Sequence, residues 1–583
     1  MKSRIVTIAV LLAAAATAPG LVLAQSGNGG YNESVVVKGT YRPELERSKK
    51  LNFPAVITDT LARMDHTFNY SITPTRLKAL YEPARIKAAR IVGEPATKLY
   101  NNYIRIGVGD YWSPMADLYW SSTRDKKKTY GIRVNHLSSW GSISNYGRNH
   151  FGNTGITLFG KYIAADKLQL STDLGYEHDH NLYYGFHDTT LAAVFPAYTR
   201  DSFALADYKA SYNLASWNIG LRNMELDPYK LGYSANIHLS DLWATWHQNE
   251  LNLNLSGDIH YGFNVMRKYR GVAFLRFEWD AYANRFKSDY RMPLGFVPQP
   301  VQDTAMGYRN IVKVNPYVDF MFSGLQFHAG LTTGWDAYTT DSATTFRLFP
   351  DVVVSKKLMN DNLDLSIGAT GGFDANSLNI IRLVNPYVAP GSEMRATRHY
   401  DFAAHARWSI SRKLEATAEV TYALLRDDLN FCIDSNYALD NVYRTDYIDN
   451  NRLTVGAMLA FVNDEMVTLR AGGHYYAYSL QGDDSLLLYR PRWDAMLTAD
   501  FNYHDKWLLH LKGELIGAVD ADFGARLPMR YGIGAELEYR HNKALSFFVK
   551  MDNLAFQRYY LWANYPSRRG LFLVGLTYTI PHK

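Results

Sequence analysis

Leu251-Asn252-Leu253-Asn254-Leu255-Ser256-Gly257-Asp258-Ile259-His260-Tyr261 decides the fold. Leu251, Leu253, Leu255, Ile259 and Tyr261 fall on one face, and Asn252, Asn254, Ser256, Asp258 and His260 on the other. Successive side chains of a strand point to opposite sides, so a period of two is the mark of a strand with two different surroundings. The same pattern returns in Leu414–Tyr422, with Leu414, Ala416, Ala418, Val420 and Tyr422 against Glu415, Thr417, Glu419 and Thr421. It returns again in Tyr531–Arg540, where Tyr531, Ile533, Ala535, Leu537 and Tyr539 oppose Gly532, Gly534, Glu536, Glu538 and Arg540. Leu363–Phe373 alternates with small residues. Full charges in the strand centres, opposite aliphatics, suit a wall with lipid outside and water inside better than a soluble sandwich or propeller. A closed sheet also leaves no unpaired backbone edge in lipid.

The rest of the chain fits that reading. The protein has 583 residues with mean hydropathy −0.25, yet 14% are aromatic and 43 are Tyr. No apolar run after the N-terminus reaches the roughly 18–20 residues a membrane-spanning helix needs, which excludes a helical bundle. Tyr and Trp gather at the two interfaces of a membrane barrel. The alternation runs from about residue 100 to the end without a domain break. Short polar links such as Arg124–Lys128 and Ala164–Lys167 read as periplasmic turns; Ser139–His150, His180–Arg200 and Arg285–Met306 read as extracellular loops. The expected fold is all-β, a transmembrane antiparallel β-barrel of about twenty-two strands over residues 99–583, in the bacterial outer membrane. Strict up-down parity is hard to keep between residues 205 and 300.

The N-terminus reads as an export signal. Lys2 and Arg4 precede an Ala-rich apolar stretch from Ile5 to Ala18, and cleavage after Ala24 is expected, giving a signal peptide over residues 1–24. No Cys follows that site, and Cys432 is the single cysteine, so no intramolecular disulfide forms. The formal charge of +6 falls to +4 when Lys2 and Arg4 leave (6 − 2), too weak a balance to indicate nucleic acid.

The C-terminal hairpin carries a family resemblance. Phe547–Leu554, Tyr559-Tyr560, Tyr565-Pro566-Ser567-Arg568-Arg569-Gly570 and Leu571–Ile580 resemble the closing strands of TonB-dependent receptors. There an N-L-F…Y segment, a Y-P…G-R loop and a G-L-x-Y last strand recur. Phe572, Val574, Leu576, Tyr578 and Ile580 share one face; Ile580 replaces the usual terminal aromatic, and Pro581-His582-Lys583 follow. Glu33–Pro43 looks like the stretch that opens a receptor plug. A plug of that family needs roughly a hundred residues and Arg-Gly motifs, which the stretch between Tyr41 and Tyr100 does not offer, and Tyr103–Trp112 already reads as the first barrel strand. The chain therefore resembles a plugless receptor-like barrel of the type found in the Bacteroidota. Residues 25–98 are expected to form a periplasmic or lumen-filling segment, a truncated plug region, with a poorly ordered leader as the alternative.

Chemistry is sparse. His178 and His180 in Glu177-His178-Asp179-His180-Asn181 would share a strand face and could suit one ion, but no second cluster with ligand spacing accompanies them, and they read as a solvated loop end. Neither a P-loop nor a Gly-x-Ser-x-Gly elbow occurs. Cys432 reads as a packing residue, and Glu536 and Glu538 as lumen carboxylates. No catalytic, cofactor-binding or metal residue is assigned, no cofactor is expected, and the chain is read as a non-enzyme. Expected partners are outer-membrane lipid and other outer-membrane or periplasmic proteins, not nucleic acid. Two roles stay open: a receptor-like transport channel, or a structural or accessory subunit of an outer-membrane assembly or secretion complex.

Overall fold

A computed structural model describes residues 102–580, apart from 123–124, 166, 198, 200–207, 226, 246–247, 266–268, 287–304, 339–342, 464–465 and 482–485. The signal peptide, the 25–98 segment and the Glu33–Pro43 stretch lie outside the described residues.

Twenty-two strands form one antiparallel sheet. Each barrel strand pairs with its sequence neighbour, and the first strand, Asn102–Gly109, pairs with the last, Leu571–Ile580, from Asn102↔Ile580 to Gly109↔Leu573. That pairing closes the sheet into a barrel and removes both edges. The expected first strand over Tyr103–Trp112 is shorter at its end. It stops at Gly109, and Tyr111 and Trp112 take positive φ of 54° and 51° in a tight turn to Ser113–Ser121.

Side-chain direction follows the alternation read from the sequence. In Gln248–Val265, Leu251, Ile259 and Tyr261 are outward and exposed, while Asn252 is buried and Asn254 donates to Asp280 at 2.5 Å. Val420 and Tyr422 face outward; Glu415 meets Arg407 at 2.8 Å and Glu419 lies 3.6 Å from His405. Ile533 and Leu537 face outward, whereas Glu536 pairs with Arg105 at 2.5 Å across the closure. The outer belt is thus apolar, and the inner wall is a lattice of charge pairs such as Lys313–Glu278 and His328 between Asp319 and Asp351.

Links at the end that holds Asn102 and Ile580 are short, from 323–324 to 224–231. Most links at the opposite end are long: 140–150, 183–208, 287–304, 376–395, 434–442, 481–492, 517–529 and 553–570. The turns expected near Arg124–Lys128 and Ala164–Lys167 lie at the first end, and the loops expected near 139–150, 180–200 and 285–306 lie at the second. The parity difficulty between 205 and 300 has a physical cause. There the link 224–231 at the short-turn end is longer than 245–247 at the long-loop end, so length stops reporting side.

Candidate functional site: a capped barrel mouth

The described parts of four long loops, 183–208, 376–395, 434–442 and 553–570, pack on one another in an apolar cluster that includes Tyr183, Phe186, Leu191, Ile381, Tyr387, Val388, Trp562 and Tyr565, with Tyr443 from the start of the strand Tyr443–Asn463. The same cluster takes in Leu182, Tyr212 and Leu242 from one arc of the wall, and Leu429 and Phe431 from Leu414–Ile433. Strand Leu168–Leu182 is the fifth and Leu414–Ile433 the fifteenth of the twenty-two in the ring. Those arcs face each other nearly across the diameter, so the cluster spans the mouth.

Tyrosines from the loops and from the strand ends beside them make the centre of this cap. The rings of Tyr387 and Tyr565 stack with centroids 3.5 Å apart and planes 14° from parallel, and Tyr184 stands edge-on to Tyr565 at 5.1 Å. Their hydroxyls close the loops onto one another. Tyr183 donates to the Val388 carbonyl at 2.6 Å, Tyr184 to the Pro566 carbonyl at 2.9 Å, and Tyr565 to the Asn441 carbonyl. Tyr443 donates to the Ala563 carbonyl at 2.8 Å. A buried hydroxyl costs free energy unless it finds an acceptor, and here three loops supply the four acceptors, two of them from 553–570. Burial pushes the phenols of Tyr183, Tyr387 and Tyr565 well above their ordinary pKa and that of Tyr184 up to about 12.

One loop is pinned at both ends of a short helix, Leu378–Val384. Ser377 caps it by accepting from the Ile380 N–H at 3.3 Å. The Glu250 carboxylate, buried on the inner wall, accepts from Leu378 N–H at 2.7 Å and Asn379 N–H at 3.3 Å. First-turn amides have no intrahelical acceptor, so a carboxylate there is stabilising. At the other end Arg382 donates to Asp179 at 2.8 Å, with its side chain almost wholly buried. A second short helix, Asp188–Val194, begins at His187, whose ring accepts from Thr189 N–H at 3.2 Å.

Beneath the cap lies a cavity of about 190 Å³ against one side of the wall. Arg530, Arg568 and Lys512 line it with Glu514 and Asp552, under the rings of Tyr184, Tyr387 and Tyr559. Arg568 donates to Ser139 Oγ and, at 2.7 Å, to the Asn149 carbonyl, and its guanidinium lies 4.9 Å over Tyr111. Burial lowers its pKa from the ordinary guanidinium value. Burial also lowers His150 in the same lining, helped by Arg148 and Arg568.

His178 and His180 do share a face, with rings 5.8 Å apart, but it is the outer face that carries Leu174 and Tyr176. Their neighbours Glu177 and Asp179 point inward, Asp179 to Arg382. His178 pairs with Asn213 at 2.8 Å, and among the described residues no group of three metal-ligating side chains gathers. Cys432 is half-buried and accepts from Arg444 Nε at 3.2 Å. The sequence singled out Tyr565 and Arg568 through the C-terminal resemblance. It did not single out Tyr183, Tyr387, Glu250 or Arg382; Ser377, a capping residue before an apolar run, is the one local signal that could have marked the 378–384 helix.

No protein-family model matches this sequence, and no curated protein does. Solved structures do. The ferric-catecholate import receptor Fiu from E. coli K12 superposes with a TM-score of 0.61 at 11% identity, covering 82% of this chain and 81% of that one. The siderophore receptor PirA from Acinetobacter baumannii gives 0.60 at 10% identity, covering 84% and 81%. The pyoverdine outer-membrane receptor FpvA from Pseudomonas aeruginosa gives 0.61 at 9% identity, covering 84% and 79%. At such identities the likeness concerns the fold: this chain is a closed twenty-two-strand β-barrel that shares the architecture of outer-membrane siderophore receptors.

Proposed function

We propose that this protein is a receptor-type transport barrel of the bacterial outer membrane that admits an anionic solute through a mouth held shut by its own loops. The observation that carries the reading is the cap, an apolar core that joins opposite arcs of the wall. An apolar outer belt and a charged inner wall suit a barrel in lipid with a water-filled lumen. The cavity under the cap presents three cationic side chains against two acidic ones, beside aromatic rings, which favours an anionic and partly aromatic group. The structural neighbours are named for ferric-catecholate import and for binding enterobactin and pyoverdine, so a ferric chelate is the first substrate class to test. The test is uptake of radiolabelled ferric catecholate by cells producing the full chain. Uptake that is lost in Arg568→Gln supports the reading; uptake equal to that of cells lacking the protein refutes it.

The same cap also suits a barrel that stays sealed and serves a larger assembly. A tagged chain recovered from outer membranes with stoichiometric partner subunits, and without uptake, favours that accessory role.

A further inference from the structure

The wall of the barrel is not hydrogen-bonded all the way round. Strands Ala343–Leu358 and Leu363–Ala375 pair only from Val352↔Ala369 to Leu358↔Leu363. Beyond that point each stays paired with its other neighbour. Ala343–Leu358 continues along Leu325–Tyr338 as far as Tyr338↔Ala343, and Leu363–Ala375 continues along Ala396–Ser409 as far as Ala375↔Ala396. The ladder therefore forks in the half of the wall nearest the cap.

The sequence gives the reason. Pro350 stands just past the last pair and has no N–H to donate, and Gly371-Gly372 stand on the facing strand. Proline inside a sheet belongs at an edge, and strand glycines mark close approach of another group. A Cβ on Gly371 would lie 3.0 Å from the Phe349 ring and 3.3 Å from the Phe349 Cβ.

Side-chain direction shows what the fork becomes. Phe349 belongs to the lumen-facing series of its strand with Asp351 and Val353, and Ile311 to that of Lys313 and Asn315. Phe373 belongs to the lipid-facing series with Leu365 and Ile367, and Tyr400 to that of Phe402 and Trp408, all four of those reference residues being exposed. Yet Phe373 is 2% exposed and stands edge-on to Phe349 at 5.1 Å, and Tyr400 lies 5.1 Å from Phe349. Phe349, Phe373, Ile311 and Ala396 form one buried cluster. The lipid-side series of one pair of strands thus packs on the lumen-side series of the next. The wall overlaps itself like a scroll, with Leu363–Ala375 tucked inside Ala343–Leu358. Tyr400 reaches past Gly371 and donates to the Leu348 carbonyl at 3.3 Å, which satisfies an acceptor the ladder leaves open.

We infer that this overlap is a lateral portal through which an acyl chain passes between the outer-membrane lipid and the lumen. Opening a stretch of wall whose strands are paired breaks backbone hydrogen bonds in a medium where the freed groups find no water. Opening this one separates aromatic rings and one side-chain hydrogen bond. The surfaces that part are apolar, and the outer flap is bordered by the lipid-facing Leu331, Phe346 and Leu348. This inference rests on the wall and not on the cap, and it holds or fails whether or not an anionic solute is transported.

The test places the photo-crosslinking residue p-benzoylphenylalanine in the full chain, reconstituted in vesicles of palmitoyl-oleoyl-phosphatidylcholine. Asp351 is the lumen-facing position beside the overlap, Glu536 the lumen-facing control on another arc, and Leu348 the lipid-facing control. Lipid adducts are expected at 348 and 351 and not at 536. Phe349→Ala, which thins the overlap, is expected to raise the yield at 351 at least about twofold. A Phe349→Cys/Gly371→Cys lock, made with Cys432→Ser, is expected to abolish it until reductant is added; disulfide Cβ atoms lie about 3.8 Å apart, against 3.3 Å there, and the two strands must part slightly to relieve the 2.7 Å approach of the new Cβ to the His399 carbonyl. If the lock does not form, the Phe349→Ala comparison decides alone. Adducts at 348 but none at 351, in the parent and in Phe349→Ala, overturn the portal, as does equal yield at 351 and 536.

Discussion

Tyr387 stacks on Tyr565 at 3.5 Å between ring centroids, although 376–395 and 553–570 are loops from different parts of the ring of strands. That contact sits at the centre of the cap, with Tyr184 edge-on to both rings. Truncating a buried aromatic costs about 3–5 kcal/mol where the site cannot collapse. Tyr565→Ala is therefore expected to free the loops while the barrel stays folded. Limited proteolysis should then cut within 376–395 and 553–570 at protease levels that leave the parent intact, with unchanged heat-modifiable mobility of the barrel on a gel.

Glu250 and Arg382 hold one helix from two sides. Glu250→Ala leaves buried amides without their acceptor, a loss of about 1–3 kcal/mol. Arg382→Ala strands Asp179 and is expected to cost more, up to about 3–5 kcal/mol for a buried pair broken on one side. Amide hydrogen exchange over 376–395 should accelerate in both, and more in Arg382→Ala. Equal protection in parent and variants would show that the helix is held by packing alone.

Alkali should open the cap. Tyr183, Tyr387 and Tyr565 have phenol pKa values raised by burial, so the closed cap keeps protons that an open one releases. The opened phenols ionise near pH 10. Closure is then fully stable below about pH 10 and weakens as pH rises through that value toward the raised ones. Absorbance titration should show a late group of tyrosines whose ionisation coincides with proteolytic release of the loops. Release already complete at pH 8 would contradict this.

The outer belt makes a sign-specific prediction. Ile237 faces outward near the middle of Gly232–Ala244, and its neighbour Asn236 faces the lumen. A lysine on the lipid face near the midplane costs about 2–4 kcal/mol. Ile237→Lys should lower folding yield into vesicles, and Asn236→Lys should leave it nearly unchanged. The reverse order would turn the wall inside out.

What the sequence made legible was what local periodicity can carry. Leu251–Tyr261, Leu414–Tyr422 and Tyr531–Arg540 show their two faces within ten residues or so, and the structure keeps those faces. The cap was not legible because its contacts join residues far apart, such as Tyr183 with Val388, 205 positions on, and Tyr184 with Pro566, 382 positions on. Nothing near Tyr183 or Tyr387 in the chain announces the partner. The overlap was half legible. Pro350 and Gly371-Gly372 are visible interruptions in two alternating segments, but only the fold places them opposite each other.

Single-channel recording on the purified full chain in planar bilayers tests the closed mouth most directly. The parent should be nearly silent, and Tyr387→Ala/Tyr565→Ala should show frequent large conductance steps. A parent that conducts as freely as the double variant would contradict a barrel sealed by its own loops.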